Sequence, residues 1–458
     1  MVRTSKAAVA RRSQGLELIA GLTAIFLALV FTLSLIRPAN AMDIKEVKSP
    51  RGISAWLVQS DQVPLLALRF AFLGGSAQDP EGKAGVANFV TAMLDEGAGD
   101  LKSEAFQEQM EDIAMRMSFD ESRDNFYGSV QTLTKNRAEA MKLLKLALTK
   151  PRFDEDAVER IRRQLLANLA YEKRSPDKLA SRTWFEKAFP GHPYGTSARG
   201  TVKTVKTITR KDLEAFRKRV FSKDNLKVVA VGDINEADLG KLLDEVFGNL
   251  PEKGELNPVA DVKPVTGGVL DVVEMDVPQS AAVFGMGGLK RKDPDFMAAF
   301  VLNHIIGGGG FSAILMEEVR EKRGLAYSVY SYLNPLDHSS IYLGSVATKN
   351  ESIAESLKII SSELAKIAKD GVTQKDLDNA KSYLTGSYAL RFDTNSKIAS
   401  QLLGIMVEDM GIDYIDKRNA SIEALTVDDL KKAAARFLNP DDLIVVVVGK
   451  PKDLPPKS

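Results

Sequence analysis

Apolar residues fall along this chain in three rhythms. Residues 53–58 (ISAWLV) and 65–72 (LLALRFAF) are rich in strand formers, are bounded by Gly and Pro, and flank a short polar turn containing Pro64. This pattern predicts two consecutive strands. Residues 228–231 (VVAV) and 444–448 (IVVVV) are short continuous apolar runs, as expected of buried strands. In residues 154–172, Val158, Ile161, Leu165, Leu166 and Leu169 recur at spacings of three and four and share one face, which predicts an amphipathic helix. Strands and long helices together predict an α+β protein.

A fourth run stands apart. Residues 18–36 are apolar almost throughout, follow Arg3, Lys6, Arg11 and Arg12, and precede Ala39-Asn40-Ala41. A charged head, an apolar middle and a small-x-small end predict a signal peptide cut after Ala41. The run is also long enough to span a bilayer, so a retained inner-membrane anchor is the alternative. Either way the expectation is export, to the periplasm.

The remaining pattern is written twice. Thr209 and Thr426, Leu213 and Leu430, Asn225 and Asp442, and Gly232 and Gly449 are each 217 positions apart (426 − 209, 430 − 213, 442 − 225, 449 − 232). GSVQT at Gly128 and GSVAT at Gly344 are 216 apart (344 − 128). One repeat of about two hundred residues predicts two similar domains, residues 42–250 and 269–458. Residues 251–268, with three prolines and three glycines, predict an extended linker.

Chemistry is sparse. A net charge of +1 gives no global field favouring nucleic acid or acidic partners. The absence of cysteine excludes disulfides, thiolate ligands and cysteine nucleophiles. No serine sits in a Gly-x-Ser-x-Gly elbow. Of the three histidines, His192, His304 and His338, none has another three or four residues away, so each reads as an ordinary hydrogen-bonded or exposed side chain. Gly307, Gly308, Gly309 and Gly310 have no Lys-Ser/Thr after them, which argues against a phosphate loop and for a flexible connection. Arg320 and Tyr327 are seven residues apart around Gly324. Gly324 suits a helix C-cap, placing Arg320 in the last turns of a helix and Tyr327 on the next strand. Taken alone, the pair reads equally well as a cation at a helix C-terminus and an ordinary strand tyrosine.

LGGSAQDPEGKAGVANFVTAMLDEG, HPYGTSARGTVKTVKTITRKDLEAF, VVAVGD and GGGGFSAILMEEVREKRGLAYSV, in this order, resemble the insulinase/pitrilysin-type zinc peptidases, the family of mitochondrial processing peptidase. The resemblance spans nearly all of residues 44–450. It implies two homologous domains, each a mostly antiparallel sheet covered by helices. Active members carry His-x-x-Glu-His on a helix of the first domain, where two histidines one turn apart grip zinc and the glutamate activates water. The matching positions here are Asn88, Thr91 and Ala92, and a later glutamate ligand aligns with Asn168. A displaced site on Asp95 and Glu96 would suit hard cations rather than zinc. The resemblance therefore implies no metal in this chain and zinc in a homologous partner subunit.

It also implies that Arg320 and Tyr327 bind substrate peptide carbonyls beside the partner's zinc, with Arg323 and Tyr330 as the nearest alternatives, and that Gly307 to Gly310 take part in substrate capture. An edge strand for extended peptide is expected at residues 65–73 with Gly74 and Gly75. Two functions follow. One is a non-catalytic, substrate-binding subunit of a heteromeric exported zinc endopeptidase, active only with its partner. The other is a metal-free structural or peptide-binding protein, like the inert core subunits of respiratory complexes that share this fold.

Overall fold

The computed structural model describes residues 42–454, so the signal peptide or anchor expected at residues 1–41 lies outside the described residues. In chain order the strands are β1 (Lys45–Lys48), β2 (Ser54–Gln59), β3 (Leu65–Leu73), a two-residue hairpin of β4 (Gly97–Ala98) and β5 (Leu101–Lys102), β6 (Arg116–Glu121), β7 (Asn125–Leu133) and β8 (Leu226–Gly232). The second half contributes β9 (Val269–Glu274), β10 (Gln279–Gly287), β11 (Ser328–Leu336), β12 (Ser339–Lys349) and β13 (Ile444–Gly449). They form one sheet in the order β1-β2-β8-β3-β7-β6 and another in the order β11-β12-β10-β13-β9.

The two sheets share one topology. β8 runs parallel to β2 and β13 runs parallel to β9, while the other ladders of both sheets are antiparallel. β3 corresponds to β10, and β6 to β11. The repeated GSV motif now has a physical cause. Phe70 lies opposite Gly128, and Phe284 opposite Gly344. A Cβ on Gly128 would stand 2.0 Å from Phe70 Cζ, and one on Gly344 2.2 Å from Phe284 Cζ. Each glycine is the space its partner's ring occupies.

One expectation is overturned. Leu65–Leu73 is not an edge strand: β3 is hydrogen-bonded to β7 on one side and β8 on the other. Its sequence, LLALRFAFL, buries six of nine residues, and an apolar run of that kind is stable only where both sheet faces are covered. The edge on that side is β6, RMSFDE, where charged side chains blunt the free backbone.

Each sheet covers one face with its own helices. Arg210–Val220 and Glu236–Phe247 bury Phe216, Leu239 and Leu243 in the first core; Ile353–Asp370 and Val427–Phe437 bury Ile360, Leu364 and Leu430 in the second. The opposite faces are covered by exchange. Helix Pro176–Ala188, from the first half, packs on β10 and β13; helix Asn395–Val407, from the second, packs on β3 and β8. Trp184 is fully buried there among Val283, Leu343 and Val446, and its indole N–H donates to the Ile444 carbonyl at 3.1 Å.

Residues 251–268 form neither helix nor strand and are tied down along their length. Gln78 exchanges two hydrogen bonds with the Asn257 backbone, at 3.0 and 2.7 Å, and the Val262 N–H donates to the His338 carbonyl at 2.8 Å. Among the described residues no helix is long and apolar enough to cross a membrane.

Candidate functional site

The short helix Val86–Thr91 carries the first candidate positions. Gly85, at φ 99°, turns the chain into it, and the buried Asp79 carboxylate accepts from the N–H groups of Gly85 and Ala87 at 2.7 and 2.8 Å. Asn88 is half-buried and its amide nitrogen donates to both oxygens of Glu121, at 3.2 and 3.3 Å. Thr91 turns its hydroxyl back to the Asn88 carbonyl at 2.7 Å. Ala92 offers a methyl group just past the helix end, and Asn168 lies exposed on the helix Glu155–Glu172. An amide, a hydroxyl spent on the backbone, a methyl and an exposed amide do not make a zinc site, which needs imidazole, thiolate or carboxylate donors. Glu96 accepts both guanidinium nitrogens of Arg160, at 3.0 and 2.6 Å, so its charge is already matched.

Two carboxyls at this place are strongly perturbed. Burial, helped by the nearby Asp120 charge, pushes Glu121 up to about 7, against the Asn88 hydrogen bond that favours the anion. Burial likewise pushes Asp79 up to about 7, against the two N–H donors. Glu121 was not legible in sequence: an acid beside Asp120 at a strand end reads as an ordinary turn residue.

The second candidate site lies at the start of the edge strand β11. Arg320 sits in a π-helical turn, Glu317–Glu321. Gly324, at φ 63°, ends that turn, with its N–H on the Arg320 carbonyl at 2.8 Å and the Leu325 N–H on that of Val319 at 3.0 Å. The cap expected at Gly324 is therefore present. Tyr327 stands one residue before β11 rather than on it.

The guanidinium carbon of Arg320 is 4.8 Å from the ring centre of Phe311 and 4.7 Å from that of Tyr327. Its Nη1 donates to the Tyr327 carbonyl at 3.0 Å. Two cation–π contacts, a hydrogen bond and an approach of Nε to Glu321 Oε1 at 3.4 Å fix the fork. The rings themselves face solvent: Tyr327 is 82% exposed and Phe311 68%. Arg323 instead bonds the Glu318 carboxylate and carbonyl, at 2.6 and 2.7 Å, and Tyr330 stacks on Tyr332. Phe311 is the member of this group that sequence reading passed over.

The glycine run is not a plain loop. His304–Gly308 form a π-helical turn. Gly307 is buried against β11, where a Cβ would stand 2.3 Å from Ser331 Oγ, so its role is close packing. Gly308 and Gly310 are exposed, and Gly310, at φ 61°, has open space around it.

The histidines do not converge. His192 Nδ1 accepts from the Tyr194 N–H at 3.1 Å, and its Nε2 lies 2.9 Å from the Ala260 carbonyl, which makes Nε2 the protonated nitrogen. His338 lies 3.2 Å from Asp261. His304 stacks on Tyr383, and burial holds it below the ordinary histidine value. Two of the three thus fasten the linker.

Between the halves lies a polar junction centred on Tyr194 of the HPYG motif, a role the motif itself did not announce. The Tyr194 hydroxyl donates to Asp124 Oδ1 at 2.5 Å and accepts from the His338 N–H at 3.0 Å. Arg123, next to Asp124, donates from Nε to the Tyr194 carbonyl at 3.1 Å and lies 3.6 Å over the Phe185 ring. Burial lowers the Arg123 guanidinium to about 10.

Comparison with known proteins agrees with this geometry. A model of the insulinase peptidase family M16 matches residues 57–202, and a model of the M16 inactive domain matches residues 207–384. A Helicobacter pylori protein described as non-peptidase homolog YmxG is 26% identical over 417 residues, 90% of this chain and 95% of that protein. An uncharacterized zinc protease of Mycobacterium tuberculosis is 27% identical over 412 residues, 88% of this chain and 92% of that protein. The crystal structure of a peptidase M16 inactive domain from Pseudomonas fluorescens superposes with a TM-score of 0.85 at 30% identity, covering 91% of this chain and 100% of that one. A Helicobacter pylori protease structure has the same fold, with a TM-score of 0.81 at 21% identity and 89% of this chain covered.

Proposed function

The chain belongs to the insulinase peptidase family, M16, and from that premise we propose that it is a non-catalytic, peptide-binding subunit of a zinc endopeptidase. The metal sits in a homologous partner that carries His-x-x-Glu-His. This chain lends Arg320 and Tyr327 to hold the peptide backbone there. The reading includes export, with residues 42–458 working in the periplasm. Support comes from relatives described as a non-peptidase homolog and an inactive domain, and from the absence of zinc-type donors at Asn88, Thr91 and Ala92.

The observation that carries it is the posture of Arg320. Its fork is held between two aromatic rings at the mouth of an edge strand, while Tyr327 is almost wholly exposed. A side chain kept only for stability has no need of an exposed ring on each side. Hydrogen bonds from such a charged donor to peptide carbonyls are worth ~1.5–3 kcal/mol each.

The test is reconstitution. Alone, the chain is expected to hold no stoichiometric zinc and cleave no peptide. Mixed with its zinc-bearing partner it restores cleavage, and Arg320→Ala lowers kcat/KM of the mixture by about tenfold or more. Robust cleavage by the isolated chain ends the reading. If Arg320→Ala and Tyr327→Phe leave the mixture unchanged, the fold serves a structural role instead.

A further inference from the structure

A small cavity of about 190 Å³ opens beside the junction of the two halves, lined by Arg123, Lys178, Arg182, Arg199, Glu172 and Phe185. Of its twelve lining residues four are cationic and one is acidic, in a chain whose net charge is only +1. Their compensation is incomplete. Arg199 pairs with Glu172. Arg182 approaches Glu186 Oε1 at 3.4 Å, but its buried Nε has no hydrogen-bond partner. Arg123 bonds only a carbonyl, through Nε, and forms no ion pair among the described residues; the neighbouring Asp124 acts on it at longer range and spends its own oxygens on the Tyr194 hydroxyl and the Asp337 N–H. A half-buried guanidinium without an ion pair, beside an exposed lysine, favours an anionic ligand.

Position and size narrow the ligand. The Arg199 carbonyl backs onto Gly85, at the start of the helix that carries Asn88. Arg123 lies within electrostatic reach of Tyr332, on the edge strand β11 that Tyr327 precedes. The cavity is walled by first-half residues and lies beside the motif helix. Its volume is below the ~300–1,000 Å³ of sites for drug-sized molecules, which suits one carboxylate group rather than a nucleotide. Glu172 in the wall disfavours a doubly charged phosphate.

We propose that this cavity takes a carboxylate of an extended peptide, from an acidic side chain or the chain terminus, and so selects acidic peptides. The inference rests on the peptide-binding reading above, and binding to the chain alone keeps the two tests separate. Fluorescence anisotropy would compare a Glu-rich decapeptide amide, its Gln isostere amide, and the Gln peptide with a free carboxyl terminus.

We expect the Glu peptide, or the free-terminus peptide, to bind about tenfold tighter than the Gln amide, and the preference to shrink as salt rises. Which of the two acidic forms gains identifies the source of the carboxylate. Arg123→Gln, and the exposed Lys178→Gln as a variant that leaves packing intact, should each reduce the preference several-fold. Lys366→Gln, in the helix Ile353–Asp370, should not.

Equal binding of all three peptides, no binding of any, a preference that survives the Arg123→Gln/Lys178→Gln pair, or displacement by equimolar inorganic phosphate would overturn the proposal. Peptide bound without acidic preference ends this inference and leaves the subunit reading standing. Acidic preference without restored cleavage does the reverse.

Discussion

Each half sets an asparagine from the helix after its long central strand against an edge strand, at different positions and with different results. In the first, Asn88 on the helix after the central strand donates to Glu121 of β6. In the second, Asn303 accepts from Ser331 of β11 at 2.9 Å. Register ties the strands together: Phe119 faces Gly128 and Ser331 faces Gly344, an offset of 212 (331 − 119), so the counterpart of Glu121 is Leu333. Packing positions, such as the Phe70–Gly128 and Phe284–Gly344 pairs, were kept in both copies. Polar positions at the two candidate sites were not, although the capping residues Thr209 and Asp212 recur as Thr426 and Asp429. The first half holds a titrating carboxyl where the second holds leucine, and the second half holds the exposed Arg320–Tyr327 pair. The lesson is that the duplicated frame is rigid and the chemistry on it is free to diverge.

The strongest way to break this comparison is through the exchanged helices. Trp184→Ala removes a fully buried indole and leaves the Ile444 carbonyl without its donor. The expected cost is ~3–5 kcal/mol. Leu403, 219 positions on (403 − 184) in the reciprocal helix, is also buried, and Leu403→Ala should cost ~2–5 kcal/mol. Urea denaturation measures both. If either change left stability untouched, the exchange would be incidental to the fold.

Those helices also mark where sequence reading stops. The duplication, the strands 53–58, 65–72, 228–231 and 444–448, and the Gly324 cap were legible because periodicity and turn chemistry are local. The exchange was not, because nothing in PDKLASRTWFEKA says whose sheet it covers. The edge position of residues 65–73 failed for the same reason: strand order is non-local, and the apolar run that reads as a strand also demands two neighbours. At the candidate site, Arg320 and Tyr327 were singled out by the resemblance, their spacing alone being ambiguous, whereas Phe311 and Arg123 carry no such signal, since their contacts exist only once the chain folds.

A smaller effect sharpens the contrast at Glu121. Burial lifts its folded-state value to about 7, above the ordinary 4.5. The folded protein therefore holds that proton more tightly than the unfolded chain. The stability this contributes is complete below about pH 4.5 and is lost as pH rises through about 7. Glu121→Gln should stabilise the chain at pH 8 by on the order of 2 kcal/mol and change little at pH 4.5. Asp79, also raised to about 7, keeps part of the slope in this variant. In the second half Leu333→Gln has no titration to remove and should shift stability equally at both pH values. Denaturation midpoints at pH 4.5 and 8 decide it; a Glu121→Gln effect that ignores pH would remove the electrostatic contrast between the halves.

The finest comparison is between two helix caps written by the same repeat. Thr209 and Asp212 form a capping box at Arg210–Val220, and Thr426 and Asp429 form one at Val427–Phe437. The Asp212 carboxylate accepts from the Thr209 N–H at 2.7 Å, and the Asp429 carboxylate from the Thr426 N–H at 2.8 Å. Thr209→Ala and Thr426→Ala should therefore cost the same, ~1 kcal/mol each. The aspartates should differ. Asp212 also binds Lys83 at 3.0 Å, a partly buried ion pair that joins the cap to the turn before the motif helix, whereas Asp429 forms no ion pair among the described residues. Asp212→Ala should cost a few tenths to ~1 kcal/mol more than Asp429→Ala. In a Lys83→Met background Asp212→Ala should lose that excess, because the coupling is pairwise. If the two aspartates prove equal, Lys83 adds nothing, and the halves differ only where their chemistry does.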